Sequence, residues 1–195
     1  MGNALYGLRS MTSDAIEVRD LLSVLLPKVE TCSEPLKAQE LANALYGLQG
    51  MTSDVVEVQK LLGVLIPKVH GCYEPLNAQA VGNSLYGLKG MTSDVVEVRK
   101  LLDVLLSKVE GCSEPLKAQE VGNALYGLQG MTSDVVEVRK LLAVLLPKVE
   151  GCYEPPKAQS VGNALYGLKG MRSDATEVRA LLTVMLPKVD AQPRP

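Results

Sequence analysis

Apolar residues along this chain fall into two alternating patterns, both at helical spacing. In the first, Leu76, Val81, Leu85 and Leu88 form a stripe with Ala78 and Gly82 on the same side. In the second, Val98, Leu101, Leu102, Leu105 and Val109 fall at i, i+3, i+4, i+7 and i+11. These spacings gather apolar side chains on one face of an α-helix, not on one face of a strand. The first pattern predicts a helix, A, that opens at Pro75, where a missing N–H costs nothing, and ends at Gly90. The second predicts a longer helix, B, with Asp94 as N-cap and Glu97 three residues later in a capping-box arrangement. Val95, Val96, Val104 and Leu106 widen the apolar arc of B, so it is expected to touch neighbours on both sides. Glu97 and Lys100 can pair along its exposed edge, which is worth about 0.3 kcal/mol. Pro27, Pro67, Pro147 and Pro187 lie near the ends of the B segments and predict a kink or an early stop, and Ser107 predicts a straighter third copy.

The pair of patterns recurs. An Asn-Ala/Ser-Leu-Tyr-Gly-Leu core begins at Asn3, Asn43, Asn83, Asn123 and Asn163, a period of 40 residues that marks a stacked helical array. The expected fold is all-α, a right-handed α-solenoid of helix-turn-helix repeats forming a single domain over 1–195. A partial unit, 3–42, lacks its first half-helix. Repeats 43–82, 83–122 and 123–162 follow, then a terminal repeat, 163–190, and a tail, 191–195. The partial unit reads either as a cap or as the opening of a fragment from a longer array. Arg172, Thr176 and Ala180 depart from the other copies and, with the Pro-rich tail, read as a terminal cap.

Composition narrows the function. Apolar residues make up 47% of the 195, enough for a continuous buried seam, and no run approaches a membrane span, so no membrane insertion is expected. No basic, apolar-cored leader is visible at the N-terminus, so no secretion signal is read, and the free cysteines expected below fit an intracellular protein, organelles included. A net charge of −2 and a pI near 5.5 count against nucleic acid. Cys32, Cys72, Cys112 and Cys152 occupy equivalent positions, separated by stacked helices about 8–10 Å apart. Disulfide geometry needs Cα atoms within about 7 Å, so these are expected to be free, partly buried thiols. No metal or cofactor is expected, because His70 is the one histidine and no Cys-x-x-Cys pair occurs.

Nothing reads as an enzyme. His70 takes the slot filled elsewhere by Glu30, Glu110, Glu150 and Asp190, a poor place for a general base. The Thr-Ser-Asp triplets have no partnering base. The Gly-x-x-Gly pairs (Gly47 to Gly50, Gly87 to Gly90, Gly127 to Gly130, Gly167 to Gly170) follow no strand and carry no phosphate-binding weight, and helix termination accounts for the second glycine.

Two stripes on helix A are the candidate binding residues. The constant one is Gln39, Asn43 and Tyr46, repeated as Gln79, Asn83 and Tyr86, as Gln119, Asn123 and Tyr126, and as Gln159, Asn163 and Tyr166. Asparagine competes for local backbone hydrogen bonds and is a middling helix former, so its recurrence needs a reason. One reason is an inter-repeat ladder, in which amides bond from one helix A to the next and the Tyr rings pack. The other is a row of identical donors gripping the backbone of an extended peptide or of a sugar-phosphate chain. The variable stripe is Ser33, Lys37 and Glu40, then Tyr73, Asn77 and Ala80, then Ser113, Lys117 and Glu120, then Tyr153, Lys157 and Ser160. A constant stripe beside a variable one suits modular recognition, general grip from one and discrimination from the other; the alternative is drift at exposed positions. A smaller variable set on helix B, at Arg19 and Ser23 and their counterparts, reads as a solvated outer face.

The stretch Ala38-Gln39-Glu40-Leu41-Ala42-Asn43-Ala44-Leu45-Tyr46-Gly47-Leu48 resembles the Q-x-x-A-N-x-L-W-A-L helix of octotricopeptide-type repeats, with Tyr46 at the Trp position. That family lies within the broader class of armadillo-like, HEAT-like and TPR-like α-solenoids. The resemblance implies organellar single-stranded RNA recognition with about one base per repeat. Armadillo repeats also carry an aromatic-and-Asn helix, and theirs grips extended peptides. Taken together, the expectation is a non-enzymatic binding scaffold whose helix A row lines a concave groove for an extended partner, protein or peptide first. Single-stranded RNA is the alternative, and an assembly subunit that associates end to end with itself is the third.

Overall fold

The computed structural model describes residues 1–190, so the expected tail 191–195 lies outside the described residues. All regular structure among the described residues is helical. The short A-type helices are α1 (Gly2–Tyr6), α3 (Ala38–Tyr46), α5 (Ala78–Tyr86), α7 (Ala118–Tyr126) and α9 (Ala158–Gly167). The longer B-type helices are α2 (Ile16–Thr31), α4 (Val56–His70), α6 (Val96–Glu110), α8 (Val136–Glu150) and α10 (Thr176–Asp190). Each A helix packs on the next A helix and each B helix on the next B helix, giving two parallel rows with a 40-residue period. This is an α-solenoid. No described helix is long and apolar enough to cross a membrane.

The apolar stripes are the seam of the stack. Val81, Leu85 and Leu88 from one pattern, and Val98, Leu101, Leu102, Leu105 and Val109 from the other, are fully buried. Val95, Val104 and Leu106 pack at the edge of that seam, but Val96 is 45% exposed in the first turn of α6.

Several expected boundaries move. Helix A opens at Ala78, after an extended Asn77, so Pro75 lies outside it and buried Leu76 belongs to the lead-in. The helix closes at Tyr86, with Gly87 rather than Gly90 at its C-cap. Helix B opens at Val96 with Val95 as N-cap and no side-chain cap, so the Asp94–Glu97 capping box is not formed. Ser93 is the residue of that triplet turned inward, and its hydroxyl serves the neighbouring repeat instead. The B helices run through their prolines, and α4, α6 and α8 share one 15-residue span whether Pro67, Ser107 or Pro147 occupies the last turns. A proline so near the C-terminus removes one hydrogen bond and leaves the next turn intact. The Glu97–Lys100 pair is absent; the ion pairs among the described residues are those of Arg172 with Asp134 and Asp174.

Glycine sets how closely the A row packs. A methyl group on Gly87 would overlap the backbone carbonyl of Leu45, and one on Gly127 that of Leu85. Gly90 and Gly130 press in the same way on the carbonyls of Met51 and Met91. None of the glycines has a positive φ. The Gly-x-x-Gly pairs are therefore places where one backbone touches the next, and it is the first glycine, at 47, 87 and 127, that takes the C-cap, not the second.

Polar groups stitch the same junctions. The buried hydroxyls of Ser13, Ser53, Ser93 and Ser133 accept the backbone N–H of Thr52, Thr92, Thr132 and Arg172 in the next repeat, at 2.8–3.1 Å. Lys68 donates to the carbonyls of Cys32 at 2.7 Å and Glu30 at 3.3 Å, at the C-terminal end of the preceding B helix. Lys108, Lys148 and Lys188 repeat that contact on Cys72, Cys112 and Cys152. A cation there meets unpaired carbonyls at the negative end of the helix dipole. Glu74, Glu114 and Glu154 accept the N–H of Ala38, Ala78 and Ala118, each capping the A helix of the repeat before its own.

Candidate functional site

The constant stripe forms one continuous face. Tyr6, Tyr46, Tyr86, Tyr126 and Tyr166 stack ring on ring, with centroids 5.6–5.9 Å apart and ring planes within 19–24° of each other. Each ring comes from the last residue or the last turn of an A helix, so the backbone approach enforced by glycine is what brings the rings into contact.

The amides of the same stripe are mostly unspent. Asn43 donates to Asn3 at 3.2 Å and accepts from Gln39 at 3.0 Å, so the expected ladder exists at the first junction. It does not continue. Asn83, Asn123 and Asn163 are half-buried, Gln79, Gln119 and Gln159 are exposed, and their side chains bond to no described residue. Between α7 and α9, Gln119, Asn123, Gln159 and Asn163 line one recess together with Glu154 and Lys157.

The residue three places after each tyrosine also belongs to this face, which the stripe reading missed. Arg9, Lys89 and Lys169 lie 4.7, 4.8 and 4.3 Å from the ring centres of Tyr6, Tyr86 and Tyr166. The two intervening repeats carry Gln49 and Gln129, and Lys89 reaches Gln49 Oε1 at 3.4 Å. Cation therefore alternates with amide along the tyrosine row. The same alternation is visible in the chain as Ser33, Tyr73, Ser113 and Tyr153, a two-repeat period within the one-repeat period.

The variable stripe is split by the structure. Its middle residues are spent on the N-termini of the A helices. Glu40 accepts the Lys37 N–H at 3.1 Å and Glu120 the Lys117 N–H at 2.9 Å. In α5, where Ala80 replaces the glutamate, Asn77 Oδ1 accepts the Ala80 N–H at 2.8 Å instead. One capping chemistry has been exchanged for another, which accounts for the paired change to Asn77 and Ala80; the last repeat, with Lys157 and Ser160, has no side-chain cap. Glu40, Ala80, Glu120 and Ser160 also turn toward the preceding A helix: a methyl on Gly82 would lie 3.1 Å from the Glu120 Cα, and one on Gly122 3.0 Å from the Ser160 carbonyl. Ser33, Lys37, Asn77, Ser113, Lys117 and Lys157 are exposed. Tyr73 and Tyr153 are 92% and 84% exposed, but they sit at the B-to-A junctions, where Tyr73 shares a recess with Val64, Pro67 and Lys68, away from the stacked rings.

On helix B, Gln59 and Arg139 reach back to the carbonyls of Ser53 and Ser133, so that part of the outer set ties down the turn before the helix. The four cysteines are free thiols: Cys72, Cys112 and Cys152 are buried and Cys32 is half-buried. Burial pushes the thiols of Cys72 and Cys152 above the ordinary cysteine value. His70 lies at the end of α4, where its carbonyl accepts from Lys108 at 3.2 Å. Among the described residues no group of His, Cys, Asp and Glu side chains is arranged to hold a metal ion. Arg172 forms a charge-assisted bond to Asp174 at 2.9 Å, which holds that carboxyl below its usual range. The chain matches no protein-family description, and neither a curated protein nor a solved structure matches it.

Proposed function

We propose that this protein is a non-enzymatic helical-repeat scaffold whose A row recognises an extended protein or peptide. The observation that carries this reading is the unspent amide row: the side chains of Asn83, Asn123 and Asn163, one per repeat, bond to no described residue. A carboxamide offers both a donor and an acceptor, the pair that an extended peptide backbone needs. The A row is also the more closely packed row, backbone against glycine, whereas leucine and valine side chains space the B row. A stack with one shorter row curves toward it, which favours a concave A face.

The stacked rings weigh against RNA recognition of the octotricopeptide type. Single-strand binders use open aromatic faces for base stacking, and here each inner ring has neighbouring rings on both sides. Part of the variable stripe that a base code would use is engaged in helix capping. The test is parallel selection of a displayed random peptide library and a random single-stranded RNA pool on the immobilised protein. The proposal expects enriched peptides, with RNA retained weakly and lost with rising salt. Enrichment of a short RNA motif at moderate salt, with no peptide retained, would overturn it.

A further inference from the structure

The alternation along the tyrosine row sets a second, longer ruler on the A face. Lys89 and Lys169 each sit over a ring, two repeats apart, with Gln129 between them. Two ring steps of 5.6 Å separate them, about 11 Å along the stack. Arg9 stands two further steps back, of 5.9 and 5.7 Å, with Gln49 between. None of the three cations has a carboxylate partner, since the ion pairs among the described residues belong to Arg172. An extended strand rises about 3.3 Å per residue and turns every second side chain to the same side, so two residues span about 6.5 Å and four span about 13 Å, near one and two ring steps and within the reach of a flexible lysine. One repeat then matches two ligand residues, and one cation matches every fourth.

We infer that the partner of the A face is an acidic extended polypeptide, read two residues per repeat, with carboxylates at every fourth position meeting Arg9, Lys89 and Lys169. This rests on the peptide reading above and adds the register and the charge. The amides of Asn83, Asn123 and Asn163 hold the ligand backbone, and the cations select which side chains follow. Each cation is already placed against a ring face, so less side-chain freedom is lost when a carboxylate arrives. Gln49 accepts from Lys89 at 3.4 Å, and glutamine at 49 and 129 leaves alternate positions neutral.

The test is fluorescence anisotropy on the whole chain with labelled sixteen-residue peptides built from alanine, threonine and four glutamates. One peptide spaces the glutamates four apart, an isomer of the same composition spaces them three apart, and a third has glutamine throughout. The four-spaced peptide is expected to bind about tenfold tighter than its isomer, a difference well within the reach of single charged contacts. Lys89→Gln with Lys169→Gln should erase that preference. These replacements restore the residue found at 49 and 129, so the fold is expected to tolerate them. Equal affinity for the two isomers, or a preference that survives the double variant, overturns the inference. If the glutamine peptide binds as well as the acidic one and is lost on Asn83→Ala with Asn123→Ala, the peptide reading stands and the charge register fails. Binding of none of the three, with RNA retained, removes both.

Discussion

A single methyl group has opposite effects at neighbouring positions of this stack. On Gly87 it would overlap the Leu45 carbonyl, so Gly87→Ala must push two A helices apart. The expected cost is about 3 kcal/mol, in the range of overpacked cores, measured by urea denaturation. At position 84 the methyl is already present as the Cβ of serine, and the added hydroxyl is the misfit. Ser84 Oγ is buried with no hydrogen-bond partner among the described residues, where the equivalent copies carry Ala44, Ala124 and Ala164. Ser84→Ala is expected to raise stability by about 1 kcal/mol in the same assay, by removing an unpaired polar atom from the interior. Neither effect was legible in the sequence. The period shows that glycine recurs at 47, 87, 127 and 167, but only the position of the adjacent carbonyl shows why. Likewise Asp94 reads as a competent cap, yet α6 has no side-chain cap, and the inward residue of the triplet is Ser93, held by the Thr132 N–H of the next repeat.

Among the elements, the apolar stripes were readable and their ends were not. Val98, Leu101, Leu102, Leu105 and Val109 had to be one buried face because nothing else satisfies that spacing. The start of helix A depended on whether Pro75 or Asn77 opens it, and both are good openers. Burial of Leu76 in an extended lead-in decides for Asn77. The paired changes along the A helices show a second layer of constraint. Gly82 faces Glu120 and Gly122 faces Ser160, while the repeat register sets Ala42 against the smaller Ala80. Ala80→Glu alone should therefore destabilise, and Ala42→Gly should rescue part of the loss. A double-mutant cycle is expected to show a favourable coupling of about 1 kcal/mol, and additive effects would refute this pairing.

At the scale of the whole molecule, the fold class followed from the 40-residue period alone, because helical hairpins that repeat can bury their apolar faces only by stacking. The constant stripe was legible as residues and the packing of its tyrosines was expected, but the amide rungs were not predictable, since only Asn43 and Asn3 pair across repeats among the described residues. End-to-end association is constrained by one residue. Ser10 stands where Gly50, Gly90, Gly130 and Gly170 press on a methionine carbonyl of the preceding repeat. Another copy continuing the stack in register would meet the Ser10 side chain there, so sedimentation is expected to show a monomer across concentration, and Ser10→Gly is the variant that lifts the barrier. The central claim is that the asparagine row serves a partner and not the stack. Its most direct test is Asn83→Ala with Asn123→Ala, followed by thermal unfolding and by binding of a peptide selected on the parent protein. A melt within about 0.5 kcal/mol of the parent, together with loss of binding, is the predicted result. A clear loss of stability with binding retained by the folded fraction would contradict it and make the row structural.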